Sequence, residues 1–198
     1  MAYSDFSLTS VKKAFNLTLS AREDIFSGVQ SLESSNYLKE TLAYNVPFAL
    51  ASNTEKSRSE MIITPILLEL TRKIENQISL FSGVDFTVEP EQGLNGICDF
   101  IISHSPELLI ISSPVVVVVE AKKEDIKGGL GQCVAEMIAA RLFNEREGNE
   151  ISGIYGTVTT GEIWKFLKLE EQTIHIDLPD YFLNDVGKIL GILALGFH

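Results

Sequence analysis

Apolar positions recur along this chain with two different periods, and the change between them divides it. Over residues 1–55, Val11, Phe15, Leu17, Leu19, Ile25 and Phe26 lie scattered among Ser and Asn, which predicts short helices with a break at Asn16 to Leu19. From Ser59 the period is helical. Ser59 is a candidate cap, Glu60 lies in the first turn, and Ile63, Ile66, Leu67, Leu70 and Ile74 follow at three- and four-residue spacing. Pro65 either bends this helix or marks where its regular part begins. The expected division is a helical N-terminal extension over 1–58, packed on a core over 59–198.

After Gly83 the period falls to two. Phe86 to Val88 reads as a strand, Pro90 to Gly96 as a turn, Ile97 to Ser103 as a second strand, and Leu108 to Ile111 as a brief further segment. Val115 to Val119 is five consecutive valines closing on Glu120-Ala121-Lys122. A β-branched run without polar alternation predicts a central strand buried on both faces, so helices should cover the sheet. Leu130 to Asn144 reads as a helix, and Ile154 to Thr159 and Ile163 to Leu169 as strands joined through Thr160-Gly161. Tyr181 to Leu195 reads as an apolar terminal helix. Ile189, Leu190, Ile192 and Leu193 leave it too little polar surface to stand free, so it buries on its own domain or across a two-fold interface.

Composition limits what this α/β chain does. Its 198 residues suffice for one domain with a full core. A formal net charge of −11 repels polyanions unless basic groups or a metal are concentrated locally. Cys98 and Cys133 sit in apolar patterns without further cysteines nearby, which predicts buried free thiols in a reducing, cytoplasmic setting. No apolar stretch approaches the ~20 residues of a membrane helix, and no membrane partner is expected. His104, His175 and His198 share no ligand-like spacing, so zinc is not expected.

The chemistry concentrates at the end of the valine strand. Side chains alternate along a strand, so Glu120 and Lys122 share a face while Ala121 points the other way. Charges at the margin of so apolar a strand are costly unless paired, hydrated or bound to an ion. Asp99 poses the same problem within Ile97-Cys98-Asp99-Phe100-Ile101-Ile102. On neighbouring strands, Asp99 and Glu120 can offer carboxylate oxygens to one hard cation, with Lys122 beside a metal-bound water.

Asp99, a spacer of 20 residues, and Glu120-Ala121-Lys122 together resemble the D…ExK signature of the PD-(D/E)XK, or restriction-endonuclease-like, nuclease superfamily. The resemblance covers about residues 59–169. It implies an αβββαβ core with a mixed central sheet flanked by helices. It also implies that Asp99 and Glu120 hold Mg2+ or Mn2+, that Lys122 positions the water, and that Glu60 adds an outer metal contact. Gln132 looks like the Gln that some branches place at the metal site. The implied activity is metal-dependent endonucleolytic cleavage of nucleic acid, DNA more than RNA. Cys98 stands where the name-giving proline would be, and the acidity departs from a general DNA-degrading role. The alternatives are a nuclease-like module that binds a protein partner and a homo-oligomer built on the tail. Lys123, Lys127, Arg58, Lys165 and Lys168 are candidates for a phosphate-binding rim, while Trp164 and Phe166 read as core.

Overall fold

In the computed structural model, which describes residues 1–75, 77–149 and 151–197, eight strands form one mixed sheet. His198 lies outside the described residues. The strands are β1 (Thr18–Ser20), β2 (Ser79–Asp85), β3 (Ile97–Ser103), β4 (Val115–Ala121), β5 (Ile154–Thr159), β6 (Ile163–Glu170), β7 (Thr173–Ile176) and β8 (Tyr181–Phe182). Across the sheet the order is β1-β7-β6-β5-β4-β3-β2, with β8 also pairing β6. The β1–β7 and β4–β5 pairs are parallel and the rest antiparallel.

Helices cover both faces. On one lie α1 (Leu8–Ala14) and α5 (Ile126–Arg146); on the other lie α2 (Asn36–Ser52), α4 (Thr64–Lys73) and α6 (Val186–Ala194). The valines of β4 divide accordingly: Val117 and Val119 enter the α2/α4/α6 core, Val115 and Val118 the α5 core. An unbroken valine run is what a strand with two apolar neighbours requires. The result is a mixed α/β architecture in which helices flank the sheet, as the valine run predicts, and the sheet is mixed, as the resemblance implies.

Several expected boundaries move. The strand expected at Phe86 to Val88 lies earlier, at Ser79–Asp85, and runs through Gly83, whose φ of 61° the ladder accommodates, with Ser82 facing Phe100 and Val84 facing Cys98. Leu108 to Ile111 forms no strand and lies in an exposed loop. The tail begins as β8 and turns helical only at Val186, where Asp185 caps by accepting from the Lys188 N–H at 3.3 Å. Helix α5 starts four residues early because Asp125 accepts the Gly128 N–H at 2.9 Å.

The N-terminal segment is not purely helical. The break expected at Asn16 to Leu19 contains β1, which lies parallel to β7 and completes one sheet edge. Three residues are too few to show a period of two. Nor does the next helix begin at Ser59. Thr54 is the cap, accepting from Ser57 at 3.0 Å, and α3 (Glu55–Arg58) runs through a π turn (Ser59–Ile63) into α4. Pro65 explains the turn's partner: it cannot donate to the Met61 carbonyl four residues back, and Asn45 Nδ2 of α2 donates there at 3.0 Å.

The tail helix buries Ile189, Leu190, Ile192 and Leu193 in its own core with Phe26, Ile66 and Leu70. Of the two burials expected for this helix, the structure shows the one on its own domain, and nothing in it supports a homodimer. No helix among the described residues is long and apolar enough to cross a membrane.

Candidate active site

The β3–β4 ladder ends at the pair Phe100–Val119, and one step further along the register Asp99 falls opposite Glu120. There the backbone ladder gives way to a side chain: Asp99 Oδ2 accepts from the Ala121 N–H at 2.8 Å. On the other side, the Lys122 N–H donates to the Thr159 carbonyl at 2.8 Å, holding this end of the chain to β5. Glu120 is buried, 1% exposed, and its Oε1 contacts Lys122 Nζ. Acid and base share a face, as alternation along the strand predicts.

Helix α5 supplies the remaining partners. Gln132 Nε2 donates to Glu120 Oε2 at 2.8 Å and to Glu136 Oε1 at 3.1 Å, while Gln132 Oε1 accepts from Lys122 Nζ at 3.4 Å. The helix comes this close because of Gly129, where a Cβ would stand 2.7 Å from Val158 Cγ1 and 3.1 Å from Lys122 Cγ and Cε. The lysine stem thus lies over a bare turn of helix.

The electrostatics follow from burial. Glu120 is pushed up to about 8, first by desolvation and then by the Asp99 charge, against the pull of Lys122. Burial lowers the Lys122 pKa, but the hydrogen bond and charge of Glu120 outweigh it, and the net shift is upward. Glu136 is fully buried and is raised well above the ordinary carboxylate range, by desolvation first and by Glu120 second. Among the described residues its Oε2 has no hydrogen-bond partner.

Glu60 stands apart. It lies on the π turn with its side chain 61% exposed, 3.7 Å from Lys56 Nζ. It borders a cleft of about 250 Å³ shared with Glu55, Ser59, Ser82, Gly83, Asp99 and Phe100. Asp99 therefore links two groups: the buried cluster of Glu120, Lys122, Gln132 and Glu136, and the open cleft with Glu60 at its rim. Among the described residues no three His, Cys, Asp or Glu side chains are grouped as metal ligands, so the triad of Glu60, Asp99 and Glu120 is not assembled. The adjacent pair Asp99 and Glu120 does suit magnesium, which is held by one or two carboxylates and keeps several waters.

Sequence reasoning missed Glu55 and Glu136. Glu55 shares the cleft with Asp99, and its charge acts on both Glu120 and Lys122. Glu136 had a signal: it is the one charged residue within Leu130 to Ala140, four residues after Gln132 on the same helix face. The phosphate rim is reduced. Arg58 is buried and bonded to Asn53, the Thr160 carbonyl and Glu162, Lys165 is held by the Leu178 and Pro179 carbonyls, and Lys168 pairs with Glu170. Lys123 and Lys127 remain exposed. Trp164 and Phe166 are core, as expected.

No protein-family model and no curated protein matches this chain. Among solved structures, a cryo-EM structure of a DrdV–DNA complex matches with a TM-score of 0.47 and 13% identity, over 83% of this chain. The chain spans 14% of the length of that one. A likeness of this size decides neither family nor activity, and what the site does is read from its own side chains.

Proposed function

We propose that this chain is a magnesium-dependent phosphodiesterase of the restriction-endonuclease-like type, cleaving DNA by in-line attack of water on phosphorus. The observation that supports it is the convergence of Asp99, Glu120, Lys122 and Gln132, from two strands and a helix, on one sheet margin beside an open cleft. Mg2+ or Mn2+ bound by Asp99 and Glu120 would act as Lewis acid and lower the pKa of a coordinated water. Lys122 orients that water and offsets charge at phosphorus. Gln132 holds Glu120 and Lys122 in place. Glu60 and Glu55 flank the cleft by which a scissile phosphate reaches Asp99.

Lys122 Nζ contacts Glu120 Oε1, so the lysine and a divalent cation would compete for that oxygen. The test is cleavage of plasmid, single-stranded DNA and RNA at low salt with Mg2+, Mn2+ or chelator, by the parent and by Glu120→Gln. Metal-dependent cleavage by the parent and none by the variant is the expected result. Failure to cut any substrate with either metal overturns the reading.

One observation favours a second reading, a nuclease-like module that binds a protein partner. Leu108, Leu109 and Ile110 are 72%, 91% and 65% exposed in the β3–β4 loop. Exposed apolar clusters of this kind mark contact surfaces. Retained stability with no cleavage, and a partner lost on Leu109→Asp, would favour it.

A further inference from the structure

The buried acid Glu136 has no place in the chemistry proposed above, yet a wholly buried carboxyl with an unpartnered oxygen is costly to keep. Among the described residues its side chain's one hydrogen bond comes from Gln132, one helical turn earlier on α5. The Gln132 amide is saturated in one orientation only. Its NH2 group faces two carboxyl oxygens, Glu120 Oε2 and Glu136 Oε1, and its carbonyl faces the Lys122 ammonium. Rotating the amide by 180° would set its NH2 against the ammonium, and its carbonyl against two carboxyl oxygens that act as acceptors wherever they do not carry the acid's proton.

With Glu136 absent, Glu120 Oε2 alone remains to accept from the NH2 group, and the side chain gains room to move into the space left behind. We propose that Glu136 is a positioning residue: it locks the Gln132 amide so that Gln132 presents its NH2 to Glu120 and its carbonyl to Lys122, and thereby sets the cation-binding face of Glu120. None of the nearby helix residues can substitute, since Cys133 points to the Thr157 carbonyl and Ala135 and Met137 are apolar. The consequence for cation binding rests on the metal-dependent reading; the effect on Gln132 does not.

The test uses the full chain, 15N-labelled, with the Gln132 side-chain NH2 resonances identified by their loss in Gln132→Met. In Glu136→Met these resonances should shift toward those of solvent-exposed glutamines and exchange faster, whereas Glu136→Gln, which keeps a carbonyl acceptor in the same shape, should leave them near the parent's. Mn2+ titration gives the second readout. Glu136→Met should weaken Mn2+ binding about tenfold, the lower end for residues that orient a metal ligand, Glu136→Gln should restore most of it, and in a Gln132→Met background Glu136→Met should cost nothing further. A residue that merely fills the core would cost the same in both backgrounds. Unchanged Gln132 resonances in Glu136→Met, or an equal loss in the Gln132→Met background, overturn the proposal. Should Glu136→Met not fold, Glu136→Gln decides alone, since displaced Gln132 resonances there would be incompatible with an acceptor role. Absence of Mn2+ binding by the parent would instead count against the metal-dependent reading and leave the resonance test standing.

Discussion

Burial and cation binding make opposite demands on Glu120, one favouring the neutral acid and the other the carboxylate. Its carboxyl titrates near 8 when folded, against an ordinary value of 4.5, first because it is desolvated. Between those values the unfolded chain releases a proton that the folded one keeps, so without metal the stability should fall as pH rises from about 4.5 to about 8 and level off above. Glu136, also shifted upward, adds to the same slope. Thermal melts from pH 4.5 to 8.5 with chelator check it; a stability that climbs with pH across that window would refute the burial argument. Asp99→Asn isolates one cause, because the amide oxygen can still accept from Ala121 while the charge that raises Glu120 disappears. The metal-free variant should therefore be as stable as the parent or more so at pH 7, against the usual loss of about 1 kcal/mol for a substitution. Magnesium should reverse the order, stabilising the parent by about 2.7 kcal/mol at one hundred times Kd. Lys122→Met should abolish cleavage, by a hundredfold or more, while Mn2+ still binds in calorimetry, since it removes the ammonium that competes with the cation for Glu120 and no ligand. At this scale Asp99, Glu120 and Lys122 were legible because polar groups in apolar runs are conspicuous, while Gln132 came only from the resemblance. Glu136 was not legible, because a single acid within the apolar stretch Leu130 to Ala140 reads as a solvent-facing residue.

Elements bring these residues together through backbone groups that no periodicity reveals. The π turn at Ser59–Ile63 exists where Pro65 leaves the Met61 carbonyl without its helical donor, and Asn45 of α2 supplies one from 16 residues upstream. Nothing local to Pro65 announces that partner, so the sequence pattern placed the helix start at Ser59 instead of Thr54. The same turn carries Glu60 out to the cleft rim. Asn45→Leu should cost about 1 kcal/mol for the lost hydrogen bond, seen as a lower Tm, and should disturb amide exchange across residues 59–64 more than in β5 or β6. Equal disturbance throughout the molecule would show that the bond does not shape the turn. Strands β3, β4, β5 and β6 were legible because each alternates or is wholly apolar over six or more residues. Strands β1, β7 and β8 are two to four residues long and take their identity from β6 and its neighbours, so the edge of the sheet was not. Gly83 misled in the other direction, since a glycine that ends a strand and one that bends it while pairing on both sides are written alike.

For the molecule as a whole, a net charge of −11 and a nucleic-acid substrate can coexist only if the contacts are few and local. Lys56 lines the cleft, and Lys123 and Lys127 follow Lys122 in sequence; all three are exposed, and two of them already face acids, Glu60 and Glu124, at 3.7 Å. Arg58, Lys165 and Lys168 are committed to the protein itself. Each phosphate neutralised contributes about −0.9 to the slope of log K against log salt on duplex DNA, so three lysines predict a slope near −3 at most, shallow for a DNA-binding protein. The metal-filled site should matter more than the surface. Occupancy of Asp99 and Glu120 by a divalent cation cancels charge where a phosphate must approach, so binding of a short duplex to Lys122→Met, which is not expected to cut, should depend steeply on divalent cation and only weakly on monovalent salt. Fluorescence anisotropy with Ca2+ in place of Mg2+, across 20 to 200 mM salt, measures both dependences. A slope of −6 or steeper would mean a cationic surface that these residues do not form. Binding indifferent to Ca2+ would remove the metal from recognition and leave the acidic face to a protein partner, with Leu108, Leu109 and Ile110 as the first place to look for it.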